Sequence, residues 1–307
     1  MLLSVSSFAS CVSEPGCLAF QLLSGLSSAM VLFLIAAGLT LIFGVLGIVN
    51  FAHGSLYMLG AFAAYWLASR FADTAGKFWI ALILAPLVVA VIGAFIEVAL
   101  LRRTYRLPPF HQFLLTFGLI LIIADLMRIF FGGEFKSISR PEVLSGSVSI
   151  LGRPFPEYNL FLIILALGVA LGMWLMLQRT QLGRTIRAAA SDREMASALG
   201  VNVPMLFTIV FMLGAWLGGL AGVLDAGRGV TISPIMDVQT VLLAFIVLVI
   251  GGLGSFGGSL LGALIIGEVN AFGVLLVPQF ALVFVFVIMA VVLLLRPWGL
   301  LGKPLEE

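Results

Sequence analysis

Nine mostly apolar runs, nearly all of them about the 20 residues a helix needs to cross a bilayer, fix what this chain can become. They lie near 22–42, 55–69, 78–101, 110–131, 160–178, 206–226, 237–254, 257–276 and 279–296. The 55–69 run is short for a span, so the count ranges from eight to ten. With 62% hydrophobic and 10% charged residues and a mean hydropathy of +1.23, the chain cannot cover a water-facing surface, since a soluble domain carries about a quarter charged residues. The expected fold is all-α, a polytopic transmembrane bundle. A net charge of +2 is too small to imply a nucleic-acid partner.

Arginine and lysine in short connections orient such a bundle. Arg102, Arg103 and Arg106 crowd one connection, and Arg179, Arg184, Arg187 and Arg193 another; Arg296 and Lys303 follow the last run. With nine spans these three sets fall on one side, which places them and the C-terminus in the cytoplasm and the N-terminus outside. The 132–158 connection balances Lys136, Arg140 and Arg153 against Glu134, Glu142 and Glu157, as an external loop would. Residues 1–17 hold no Lys or Arg and so lack the basic start of a signal peptide; the first span is expected to insert uncleaved. Cys11 and Cys17 are either unrelated or a disulfide around Glu14-Pro15-Gly16, and the sequence leaves both open.

Polar residues inside the runs are few, and such residues are functional candidates by default. In "GVLGIVNFAHGSLYMLGA" (44–61), Asn50, His53 and Ser55 interrupt an apolar segment studded with glycine. Two readings stand side by side on spacing alone. One is a broken helix lining a solute path, its freed backbone groups satisfied by protein or by a wet cavity; the other is an ordinary cytosolic turn. Glu268 and Asn270 lie deeper in a later run, either on the path or paired across helices. Asp125 and Arg128, three apart, suit a structural ion pair, and Glu97 suits an interfacial partner of Arg102. The echo between "HGSLYMLGA" (53–61) and "GGSLLGA" (257–263) suggests an internal repeat no more strongly than chance similarity does.

The segment 182–202 is the most informative connection. "SDRE" (191–194) reads as a capping box from Ser191 to Glu194, and Gly200 as a helix terminator. A capped helix of about nine residues results, with Met195, Ala198 and Leu199 as its apolar face. So short a helix is marginal alone, and docking to a cytosolic partner is the favoured reading over lying on its own bundle. No phosphate loop, zinc-protease or nucleophile-elbow motif occurs, and two histidines make a metalloenzyme improbable. The chain is expected to be no enzyme and to bind no metal or cofactor directly.

Taken together, "GLTLIFGVLGIVNFAHGSLYMLGAFAAY" (38–65), "GRTIRAAASDREMASALGVN" (183–202), "LGGLAGVL" (217–224), "VIGGLGSFGGSLLGALIIG" (249–267) and "LLLRPWGLLG" (293–302) carry a resemblance. In order and spacing, over roughly 20–302, the chain resembles the inner-membrane permease subunits of branched-chain amino-acid ABC importers, the hydrophobic amino-acid uptake family. That resemblance implies one permease domain over 1–307, with an external segment at 1–20 and a cytoplasmic coupling loop at 179–204. It implies a bacterial inner membrane, a second related permease subunit, two ATPase subunits that use ATP and Mg, and a periplasmic solute-binding protein. Importers of this kind dock their ATPases through an E-A-A-x-x-x-G pattern. Glu194, Ala196 and Gly200 match it, Met195 departs from it, and Arg184, Arg187, Ser191 and Asp192 belong to the same coupling segment. Asn50, His53, Ser55, Glu268 and Asn270 are the implied path residues, and the resemblance favours a break over a turn at "NFAHG". Urea, short amides or aromatic acids remain alternative solutes, and an ion-coupled secondary transporter a more distant alternative.

Overall fold

A computed structural model describes residues 11–302, apart from 12, 72, 73, 75 and 106. Arg106, Lys303 and the first ten residues, which entered the orientation argument, lie outside the described residues. Helices occupy all nine apolar runs: α1 (Pro15–Leu46), α2 (His53–Arg70), α3 (Lys77–Ala99), α4 (Pro109–Phe131), α5 (Glu157–Arg179), then, beyond the short α6 (Gln181–Ser191) and α7 (Arg193–Ala198), α8 (Val203–Gly227), α9 (Met236–Gly251), α10 (Phe256–Leu276) and α11 (Ala281–Leu295). Among the described residues, seven of these stretches are long and apolar enough to cross a membrane, the last of them counted from Pro278; α2 and α9 are not among the seven. The chain is an all-α polytopic bundle. Because α1 begins at Pro15, residues 15–20 of the expected external segment are already helical. Proline suits that first position, where its missing N–H costs nothing.

Burial grades across the bundle. The most apolar window of α1 is 89% buried and that of the last span 11%, so α1 is the axis and α11 lies at the periphery. In lipid, helices gain from close packing rather than from burial against water, and small residues allow it. Gly222 of α8 stands against the Tyr57 carbonyl of α2, and Gly267 of α10 against Ala29 of α1, with no room for a side chain at either.

The two ends of the bundle differ in chemistry. One gathers the end of α1, the 101–105 connection, α6–α7, the start of α8 and the C-terminal stretch: Arg102 donates to the Pro204 carbonyl (3.3 Å), and Leu300 N–H to the Ile250 carbonyl (2.8 Å). The described arginines of the three basic sets lie in these connections. The opposite end carries a two-stranded hairpin, β1 (Ser147–Ile150) paired antiparallel with β2 (Arg153–Pro156). Its two-residue turn is Leu151–Gly152, both at positive φ (49° and 85°), the primed geometry that matches strand twist. Arg153 ties the hairpin to Glu14 (2.7 Å), and Cys11 and Cys17 are joined by a disulfide across the Glu14-Pro15-Gly16 turn. The guanidinium of Arg153 holds the Glu14 carboxyl below its ordinary value by hydrogen bonding.

Candidate functional site

α1 stops at Leu46, where Gly47 enters the left-handed region (φ 68°) and closes its N–H on the Phe43 carbonyl at 2.8 Å. Residues 47–52 are not helical, and α2 begins at His53. The His53 ring sits between Gly38 of α1 and Gly218 of α8. Gly38 precedes Gly47 by nine residues, about 13 Å along a helix. The 47–52 link therefore turns back into the bundle rather than capping its surface. Asn50 is 1% exposed and His53 0%. Neither the Asn50 amide nor either His53 ring nitrogen has a hydrogen-bond partner of good geometry. Buried polar groups left so cost about 1–3 kcal/mol each and call for an explanation. Ser55, two residues on, is satisfied: its hydroxyl donates to Asp237 Oδ2 at 2.9 Å.

Asp237 is a residue the sequence reading passed over, although an acid opening the 237–254 run met the intramembrane criterion. It lies in the first turn of α9, and its backbone carbonyl meets Gly54. Two short helices thus start beside each other deep in the bundle. A second missed group is Asp225, near the end of α8, which accepts from Tyr57 (2.6 Å) and pairs with Arg228 (2.7 Å). Arg228 also donates to Ser28 of α1 at 3.0 Å.

The remaining path candidates sit elsewhere. The Glu268 carboxyl lies against Gly25 of α1, with Oε2 buried and unpartnered, and Asn270 is half-buried on the same helix. Gly25 and Gly38 are thirteen residues apart on α1, so Glu268 and His53 meet that helix at levels about 20 Å apart. Asp125 and Arg128 form an exposed ion pair at 3.0 Å.

Near the basic end, Glu97 is fully buried and fully partnered. Arg102 reaches both its oxygens (3.2 and 3.0 Å), Tyr105 donates to Oε1 (2.8 Å) and Thr208 of α8 to Oε2 (2.7 Å). Burial, then the neighbouring carboxylate, push the Tyr105 phenol well above its ordinary value.

The 179–204 segment folds as two helices rather than one. Thr180 caps α6 through the Gly183 N–H (3.1 Å), and Asp192 caps α7 through the Met195 N–H (2.9 Å). The expected Ser191–Glu194 box is displaced by one residue. Ser191 is the last residue of α6, so its backbone is helical and cannot take the extended cap conformation that Asp192 adopts. Gly200 ends α7 as expected, at φ 87°, with Gly200 N–H to Ser197 O (3.0 Å) and Val201 N–H to Ala196 O (3.1 Å), the paired bonds of a Schellman stop. Ile186, Ala189 and Ala196 face the bundle. Arg184, Arg187, Ser191, Asp192, Glu194 and Gly200 are exposed, and so are Met195 (57%) and Leu199 (78%). Among the described residues, no group of three His, Cys, Asp or Glu is placed to hold a metal ion.

Residues 21–294 match the family described as branched-chain amino acid transport system, permease component. Similar proteins include the high-affinity branched-chain amino acid transport system permease BraD of Pseudomonas aeruginosa, 32% identical over 301 residues, covering 94% of this chain and 96% of the relative. The corresponding permease LivH of Escherichia coli is 26% identical over 298 residues, again covering 94% and 96%. A D-allose transport system permease of Escherichia coli, AlsC, is 29% identical over 174 residues, about half of each chain (52% and 49%).

Proposed function

The chain belongs to the branched-chain amino acid transport permease family, and from that premise we propose that it is one permease subunit of an ATP-driven importer. It would form part of the path for branched-chain or related amino acids handed over by a periplasmic binding protein. A second related permease and two cytosolic ATPases would complete the assembly, with ATP and Mg used only by the latter. The chain is a transport component and a multi-pass membrane protein. Its place in a bacterial inner membrane, with the disulfide end in the periplasm and the arginine-bearing end in the cytoplasm, is part of the proposal. The disulfide supports that orientation, since such bonds persist in oxidising compartments.

One observation carries the reading: α6 and α7, capped at both starts, hold Met195 and Leu199 uncovered beside arginines at one end of the bundle. On this reading the ATPases grip that pair, with Arg184, Arg187, Ser191, Asp192, Glu194 and Gly200 at the contact and Ala196 locking the pair to the bundle. ATP-driven closure moves the pair, and the spans rock between inward- and outward-open states. Asn50, His53 and Ser55, and at a separate level Glu268 and Asn270, would be the polar groups the solute meets. The seam at Asn50 and His53 is closed here, and its unpartnered atoms are the ones a passing solute would satisfy. The partial likeness to a D-allose permease fits a path that passes neutral polar solutes and leaves selection largely to the binding protein.

The test is reconstitution in vesicles with the cognate ATPases and binding protein. Gly200→Val, which forces a β-branched residue into the left-handed region, should keep the permease in the membrane and abolish solute-stimulated ATP hydrolysis. Uptake that persists with a catalytically dead ATPase would sink the importer reading and favour an ion-coupled carrier.

A further inference from the structure

Arg193 opens α7, and its guanidinium does not stay with the coupling pair. It donates to the Val45 carbonyl in the last turn of α1, at 3.2 Å and 148 positions away in sequence. It also lies over the Phe207 ring of α8, 5.2 Å from the centroid. Among the described residues, every other hydrogen bond of the 181–200 segment closes within a few positions along the chain. Between α6 and α1 the surfaces part around a crevice of about 350 Å³, lined by Gly44, Val45, Arg187 and Ala190. The direct polar tie from the coupling pair to the break is therefore a single side chain.

The carbonyl it chooses matters. The last four carbonyls of a helix lack intrahelical donors, and a cation there also meets the negative end of the helix dipole. Arg193 so caps α1 at the turn that precedes Gly47, where a Cβ would stand 3.0 Å from the guanidinium. Beyond Gly47 come the 47–52 link and the unpartnered Asn50 and His53. On its other side Phe207 packs edge-on against Tyr105 (5.5 Å), which is bonded to the buried Glu97. One guanidinium bridges a fully satisfied polar knot and an unsatisfied break.

We propose that Arg193 is the positioning residue that couples movement of the α6–α7 pair to the α1–α2 break, by setting where α1 ends. This rests on the importer reading above and adds the route by which motion reaches the path. When α7 is displaced, the cap on Val45 shifts with it, and the 47–52 link is carried along while the Glu97 knot holds the base of α3 against α8.

The experiment uses the complete importer in vesicles, with Val49→Cys in the link as a reporter for a water-soluble maleimide. Arg193→Met keeps length and removes charge and donors. It should lower solute moved per ATP hydrolysed about tenfold, a size typical of coupling between sites, and erase the nucleotide-dependent change in Val49→Cys labelling. Arg193→Lys, which can still donate to Val45, should restore more than half of both. Unchanged stoichiometry and labelling in Arg193→Met would overturn the proposal, and so would failure of that variant to assemble or of lysine to rescue it. Wild-type uptake that needs no ATP would instead overturn the importer reading, so the two failures are distinguishable.

Discussion

Two buried polar clusters of this bundle obey opposite rules. Around Glu97 of α3, every carboxylate oxygen has a donor, and the donors come from the 101–105 turn and α8. Around Asn50 and His53, equally buried side chains have no donor or acceptor of good geometry. A satisfied network in a low dielectric is stiff, because breaking any member exposes the others to the full desolvation cost. An unsatisfied one gains by rearranging. The difference assigns the first cluster to holding helices together and the second to a place where the structure is ready to change.

Swapping a polar side chain for an apolar one should therefore have opposite signs in the two clusters. Glu97→Leu leaves Arg102, Tyr105 and Thr208 without their acceptor. Thermal unfolding in detergent should show a loss of about 3 kcal/mol, the low end for breaking a buried pair, because Arg102 is itself 36% exposed. In contrast, His53→Leu and Asn50→Leu remove groups that lose no hydrogen bond of good geometry. Each should leave stability unchanged or raise it by about 1 kcal/mol, while solute uptake falls. A destabilised His53→Leu of normal uptake would erase the contrast between the clusters.

The smallest effect belongs to the far end, where solvent is present. Arg153 depresses the Glu14 carboxyl from its ordinary value of 4.5. A depressed acid contributes stability above its unfolded value and loses it as pH falls through the folded one. Amide protection in the 147–156 hairpin, taken relative to the intrinsic exchange rate at each pH, should thus fall only below about pH 4.5. Arg153→Gln should make that protection independent of pH in the same window.

Much of this fold was legible because membrane helices write their lengths into the sequence. The nine apolar runs became helices, and Gly200 stopped α7 because few other residues take φ 87° without strain. Local competition defeated the reading at "SDRE", where Ser191 and Asp192 both had capping chemistry. The choice fell to Asp192 because α6 extends through Ser191 and uses its backbone. The site was less legible. Ser55 was singled out, yet its partner Asp237 stands 182 positions away, and Tyr57 and Asp225 are separated by 168. No periodicity reports such pairs.

By itself the sequence determined that the chain lives in a bilayer, where its apolar helices lie along the chain, and which connections carry its arginines, since each follows from residue types within a few turns. Only tertiary structure decided which buried polar atoms find partners, that the 47–52 link turns back to the level of Gly38, and that Arg193 caps α1. Those outcomes depend on distances between helices remote in sequence, set by where glycines let backbones meet.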